Sequence, residues 1–129
     1  MQGNERPLYE RFGGGELLKK LVNSFYDKVA QHSLLAEIFP QDLTETKYKQ
    51  YLFLTQFFGG DPLYSQKFGH PMLRARHMPF TITPQAAEAW LACMKETLEE
   101  LDLEEEVKSE MFTRFTFTAH HMINTPDDI

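Results

Sequence analysis

Five histidines are the side chains of this 129-residue sequence best suited to hold a metal ion: His32, His70, His77, His120 and His121. None lies in an HExxH motif, and no two are four residues apart on one helix, so no pair predicts a two-histidine site. His77 differs because Arg74 and Arg76 precede it and Pro79 follows it. A neutral imidazole can coordinate a metal while a guanidinium pairs with a carboxylate, so this context suggests an anionic, metal-containing cofactor. The alternative is an ordinary helix C-terminus, where His and Arg contact the last carbonyls.

A second group of residues combines hydrogen-bonding atoms with aromatic surroundings. One face of a predicted helix carries a hydroxyl and an amide among aromatic rings, at steps of four, three and four residues: Thr46, Gln50, Phe53 and Phe57. Tyr26 and Trp90 each combine an apolar body with one hydrogen-bond donor. Buried polar groups need partners, which are backbone or water in an ordinary core and a ligand in a binding site. Both interpretations stay open from spacing alone.

Composition excludes several other kinds of chemistry. The net charge of −6 repels phosphate, so neither nucleic acid nor an anionic membrane surface is an expected partner. A single cysteine, Cys93, allows no internal disulfide and no cysteine-based zinc or iron–sulfur site. There is no GxSxG motif, and the glycines at 13–15 lack the Lys-Ser/Thr ending of a phosphate-binding loop. The N-terminus lacks a signal-peptide layout and no apolar stretch approaches ~20 residues, so we expect a cytoplasmic protein.

The elements that must position these residues are predicted to be helices. Apolar residues at three- and four-residue steps predict a helix over 16–30, and a short helical piece follows at 34–39. Asp42 and Glu45 form a capping-box-like start for a helix over 42–58, which ends at Gly59 and Gly60. Residues 61–83 contain three prolines, so we expect a loop with one short helix at 72–77.

The C-terminal half adds two longer helices. Thr83 and Pro84 predict an N-cap and first helical turn. The stretch FTRFTFT alternates like a strand, but a four-residue apolar step favours a helix over 104–123. With no two strands to pair and no linker, the chain is expected to be all-α and to form one domain over 1–129.

Several ordered segments carry a family resemblance that covers nearly the whole chain. They are GGG at 13–15, SFY at 24–26, IFP at 38–40, FFGGDP at 57–62, GHPMLRARHMPF at 69–80 and AWLACM at 89–94. With these segments the sequence resembles the truncated hemoglobins of group II. The resemblance implies a truncated globin fold, a two-over-two helical sandwich around heme, with the first helix nearly absent.

The resemblance also implies roles for individual residues. His77 matches the proximal heme iron ligand, and the lack of a CxxCH motif implies heme b held without covalent links. The residues that match the distal, ligand-binding side are Tyr26, Gln50, Trp90, Thr46 and Phe39. Those that match heme contacts, including the propionate partners, are Thr46, Lys49, Phe53, Tyr64 and Arg76. Some relatives carry tyrosine where Phe39 stands, so this distal side has one fewer donor.

The function that follows from the resemblance is reversible binding of O₂ or of another diatomic ligand such as CO or NO, for oxygen transport or storage. An alternative is oxidative chemistry, either nitric-oxide dioxygenation or low peroxidase activity, which needs an external electron donor such as a reductase. Redox or ligand sensing is a further alternative. A rival from another class is a heme-free helical interaction module, in which the aromatic residues form only a core. Either a monomer or a homodimer fits the apolar helix faces.

Overall fold

The computed structural model describes residues 6–126, and this part of the chain contains helices and no strand. The seven α-helices are α1 (Leu8–Arg11), α2 (Gly14–Gln31), α3 (Thr44–Phe57), α4 (Leu63–Phe68), α5 (Leu73–His77), α6 (Pro84–Glu100) and α7 (Glu105–Met122). A 3₁₀ turn at Leu35–Glu37 lies between α2 and α3. The all-α prediction is therefore confirmed. No helix within 6–126 combines the length and hydropathy that a membrane span requires.

The long helices form two packed pairs. Helix α2 packs against α3, α6 packs against α7, and contacts between α2 and α6 join the two pairs. In α2 the buried residues recur every three or four positions, as in Leu18, Leu21 and Phe25, because that spacing places them on one face of a helix. Helix α7 follows the same rule, with Val107, Met111 and Phe115 all buried. This four-residue apolar step decides in favour of a helix despite the strand-like FTRFTFT stretch.

Helix starts agree with the sequence in one case and differ in another. Thr83 caps α6 as predicted, since its Oγ1 accepts a hydrogen bond from the backbone N–H of Ala86 at 3.0 Å. The capping box predicted at Asp42 does not form, because the helix begins one residue later than that box requires. The Asp42 carboxylate accepts from the N–H of Thr44 at 3.0 Å, and Leu43 is the residue that precedes the helix. Asp42 therefore stabilises the turn that leads into α3 instead of capping the helix itself.

Residues 61–83 contain two short helices where one was predicted. The additional helix, α4, is docked by Gln56 of α3, whose side-chain amide donates to Ser65 Oγ and accepts from Ser65 N, both at 2.9 Å. Helix α5 begins at Leu73, one residue later than predicted, because Met72 has a left-handed backbone with φ of 48°. This segment positions side chains over one end of the molecule.

The turn after α3 requires glycine, as the sequence predicts. Gly59 has φ of +97°, and a Cβ atom there would lie 2.7 Å from the Cβ of Pro7. The close approach lets the backbone N–H of Tyr9 donate to the carbonyl of Phe58 at 2.9 Å. The end of α3 is thereby joined to α1.

Candidate functional site

One cavity of about 380 Å³ lies between the helix pairs and the α4–α5 segment. Its volume is within the range of roughly 300–1,000 Å³ that is typical of small-molecule and cofactor sites. All ten residues predicted for the site line this cavity: Tyr26, Phe39, Thr46, Lys49, Gln50, Phe53, Tyr64, Arg76, His77 and Trp90. These residues come from α2 to α6 and from the segment that follows the 3₁₀ turn, so the fold gathers side chains that are far apart in sequence.

The half-buried imidazole of His77 has a defined tautomer. Its Nδ1 lies 2.6 Å from the carbonyl oxygen of Leu73, one helical turn earlier in α5. Because a carbonyl can only accept, Nδ1 carries the proton and donates, which leaves the lone pair of Nε2 free to coordinate a metal. This is the arrangement that ligating histidines use.

A single imidazole suits one class of metal group. Within 6–126 no cluster of three or more His, Cys, Asp or Glu residues could hold a bare metal ion. A structural or catalytic zinc ion takes three or four protein ligands, whereas an iron atom already held by a porphyrin needs only one axial ligand. The donor set at His77 therefore fits heme.

Three hydrogen-bond donors that line the same cavity have no protein partner within the described residues. Within residues 6–126, no hydrogen bond joins the Tyr26 hydroxyl, the Gln50 amide or the Trp90 indole N–H to another protein group. Every fully enclosed side-chain nitrogen or oxygen in this part of the chain does have a partner, so these three atoms are accessible from the cavity. They are available to a ligand that accepts hydrogen bonds.

Phe25 holds two of these donors in place. Its fully buried ring makes edge contacts with the rings of Tyr26 and Trp90, in each case at 4.9 Å between centroids. Tyr26 also contacts Phe39 at 5.8 Å. These ring contacts hold the side chains of Tyr26 and Trp90 in place, while the hydroxyl and the indole N–H stay available for hydrogen bonds. Nothing in the local sequence distinguishes Phe25 from an ordinary aromatic residue of the core.

Lys49 and Arg76 form a cationic rim that is positioned by α4. The Lys49 ammonium lies 5.3 Å from the ring centre of Phe68, and the Arg76 guanidinium lies 5.7 Å from that of Tyr64. The only ion pair of Lys49 within 6–126 is a long one, 3.7 Å, to the exposed Glu45, and Arg76 has none in that range. In a chain of net charge −6, two cations that line one mainly apolar cavity fit the two propionate carboxylates of heme.

The remaining lining residues are apolar except for Thr118, and most were not predicted. They include Leu35, Leu73, Phe80, Ile82, Ala86, Ala87, Phe115, Ala119 and Met122. An apolar side chain carries no sign of which cavity it faces. Only the four-residue step of α7, which places Phe115, Ala119 and Met122 on one face, was available as a signal.

Burial raises the pKa of the Tyr26 phenol above its ordinary value of 10.0, since the ring is 3% exposed and its anion would lose solvation. Tyr26 is therefore a neutral donor across the physiological range. The folded state holds the phenol proton more tightly than the unfolded chain does. The contribution of Tyr26 to the free energy of unfolding is therefore fully present below pH 10 and is lost as the pH rises, because the unfolded chain ionises first.

We expect the wild-type free energy of unfolding to fall more steeply above pH 10 than that of Tyr26→Phe, measured by urea denaturation. Tyr48→Phe, at a ring that is 45% exposed, is the control, and equal slopes for all three proteins would contradict the prediction.

Comparisons with known proteins agree with this geometry. The family model described as bacterial-like globin matches residues 7–124. The group 2 truncated hemoglobin YjbI of Bacillus subtilis is 56% identical over 111 residues, which are 86% of this chain and 84% of that protein.

Two solved structures share the fold at high similarity. The group II truncated hemoglobin of Bacillus anthracis superposes with a TM-score of 0.93 at 47% identity, covering 95% of each chain. A protein described as the truncated oxygen-avid haemoglobin of Bacillus subtilis gives 0.89 at 54% identity, covering 92% of this chain and all of the other. The predicted truncated globin fold is confirmed, and globins are heme-binding proteins. The chain belongs to the bacterial-like globin family, within its group II truncated hemoglobins.

Proposed function

We propose that this protein binds heme b without covalent links, in one globin domain, and reversibly binds O₂ or another diatomic ligand such as CO or NO. One observation carries the proposal: an imidazole with a free Nε2 lines the same mainly apolar cavity as three donors that have no protein partner in the described part of the chain. The description of a Bacillus subtilis relative as oxygen-avid supports it. We also propose a cytoplasmic location, because a chain with one cysteine does not use the internal disulfides typical of oxidising compartments.

Each lining residue has a role in this proposal. His77 Nε2 would coordinate the heme iron, and the bond from Nδ1 to Leu73 holds the ring in one orientation. Lys49 and Arg76 would pair with the propionates, and Tyr64, which lines the same cavity, would contact them too. Phe39, Phe53 and Thr46 line the cavity and would contact heme there and exclude water from it. Bound heme supplies an iron atom with one coordination position left open for a diatomic ligand.

The three donors determine how firmly the ligand is held. The phenol O–H of Tyr26, the amide N–H of Gln50 and the indole N–H of Trp90 can donate to partial negative charge on the ligand. In a cavity with mainly apolar walls, such bonds are stronger than in water, so the ligand is expected to leave slowly. Slow release favours storage over rapid delivery. It also suits oxidative chemistry, such as nitric-oxide dioxygenation or peroxidase turnover with a reductase, which is the second candidate function.

The proposal is tested by titrating the purified protein with hemin and recording its visible spectrum in the ferric, ferrous and CO-bound states. We expect one heme per chain, a strong Soret band that shifts when CO is added to the ferrous protein, and an O₂ spectrum that reverses under argon. Absence of a stoichiometric Soret band would overturn the proposal and favour the heme-free interaction module.

A further inference from the structure

The helix that carries His77 has little packing of its own. Helix α5 is five residues long, contains no buried residue and packs mainly against α7. A short helix without buried side chains has no apolar contacts strong enough to fix its orientation. Polar contacts must therefore set the direction in which the His77 ring points.

Asn124, two residues after the end of α7, makes these contacts. Its Nδ2 donates to the carbonyl oxygens of His77 at 3.2 Å and of Phe80 at 2.9 Å, while its Oδ1 accepts from the N–H of Ile82 at 3.0 Å. Its own backbone N–H donates to the carbonyl of Ile82 at 2.9 Å. Carbonyls only accept and backbone N–H groups only donate, so the partners fix the orientation of the amide.

The hydrogen bonds of the Asn124 side chain differ from those of a helix cap. A capping side chain bonds to the free backbone groups of its own helix, but the Asn124 side chain bonds to none in α7. All three of these bonds cross to residues 77–82, more than 40 positions away in sequence. Arg74 adds longer contacts in the same region, from its guanidinium to the carbonyls of His121 at 3.4 Å and Ile123 at 3.5 Å.

We propose that Asn124 is the positioning residue for His77, an inference that rests on the proposed role of His77 as axial ligand. The imidazole is fixed to α5 by its bond to Leu73, and α5 is fixed to the end of α7 by Asn124. Helix α7 in turn contributes Phe115 and Met122 to the cavity wall. These linked bonds give Nε2 one direction relative to the cavity before any cofactor binds, which is the function of a supporting shell around a metal ligand.

Two variants separate the donating and accepting sides of Asn124. Asn124→Asp keeps the shape and the oxygen that accepts from Ile82 but removes both donors to His77 and Phe80. Asn124→Ala removes all the side-chain bonds. Thr83→Ala is the matched control, because it removes the cap of α6, and so destabilises the protein, while it leaves every side-chain bond from Asn124 to residues 77–82 in place.

The informative readout is the iron–histidine stretching band of the ferrous protein, measured by resonance Raman, together with the rate of heme transfer to an acceptor globin. Both Asn124 variants are expected to broaden and shift the band and to lose heme roughly tenfold faster, the size expected from one or two lost hydrogen bonds. Thr83→Ala should leave the band unchanged and the rate within about twofold. The inference is overturned if both Asn124 variants keep the wild-type band, or if Thr83→Ala shifts it equally.

A second measurement distinguishes this inference from the proposed function. Hydrogen exchange at the Ile82 amide, whose partner is Asn124 Oδ1, can be followed in the protein as purified, with or without heme. Exchange is expected to accelerate roughly tenfold or more in Asn124→Ala. If wild type binds no heme, the proposed function fails, and with it the positioning of an axial ligand. Faster exchange in that case would still show that Asn124 holds residues 77–82, and unchanged exchange would show that it does not.

Discussion

Replacing His77 with glycine is expected to lower heme affinity on the order of a hundredfold and to abolish the five-coordinate ferrous spectrum of the loaded protein. The reason is geometric. His77 is the one histidine among the cavity-lining residues, so no neighbouring imidazole can take its place. His70 and His121 line a second cavity instead, and His32 Nδ1 accepts from the backbone N–H of Leu34.

The measurement is a hemin titration of His77→Gly followed by addition of free imidazole. Imidazole fits the space that glycine vacates, so we expect it to restore the wild-type Soret and CO-bound spectra. His120→Ala is the matched control, since His120 is exposed and lies outside the cavity. A His77→Gly protein with an unaltered spectrum, or one that does not respond to imidazole, would exclude His77 as the ligand.

Sequence periodicity was sufficient to predict the long helices, because the buried residues recur along them at helical spacing. The bounds of α2, α3 and α7 lie within a few residues of the predicted ones, and Thr83 caps α6 as expected. The short helix α4 was not predicted. Its six residues are too few for a periodic signal, and it is docked by Gln56 through bonds to Ser65 that no local pattern indicates.

Part of the candidate site was predictable from the sequence, because some of its residues have distinctive side chains. Residues with distinctive chemistry, such as His77, Tyr26 and Trp90, can be recognised by type and by their place in ordered motifs. Residues that act by supporting others cannot. Phe25 resembles any core aromatic residue, and Asn124 lies 47 positions from the His77 carbonyl it binds, so only the folded chain brings the two together.

Removing the Tyr26 hydroxyl and the Trp90 indole N–H together is expected to raise the O₂ dissociation rate roughly ten- to a hundredfold, since each lost hydrogen bond contributes on the order of 1 kcal/mol or somewhat more. Tyr26→Phe removes only the hydroxyl, and Trp90→Phe removes the indole N–H and part of the ring while an aromatic ring remains against Phe25. Tyr48→Phe is the control outside the cavity. Stopped-flow displacement of O₂ by CO measures the rates, and a double variant with the wild-type rate would refute the assignment of these donors.

The single variants add a test of how the donors act. If Tyr26 and Trp90 donate to the ligand independently, their effects on the free energy of activation should add in the double variant. A double effect smaller than the sum would mean that loss of one donor already weakens the other, as expected when both rings are held by Phe25. Gln50→Leu should have a smaller effect than Tyr26→Phe, because Gln50 is partly exposed while Tyr26 is 3% exposed, and a hydrogen bond weakens where water competes for it. A larger effect of Gln50→Leu would instead make the amide the principal donor.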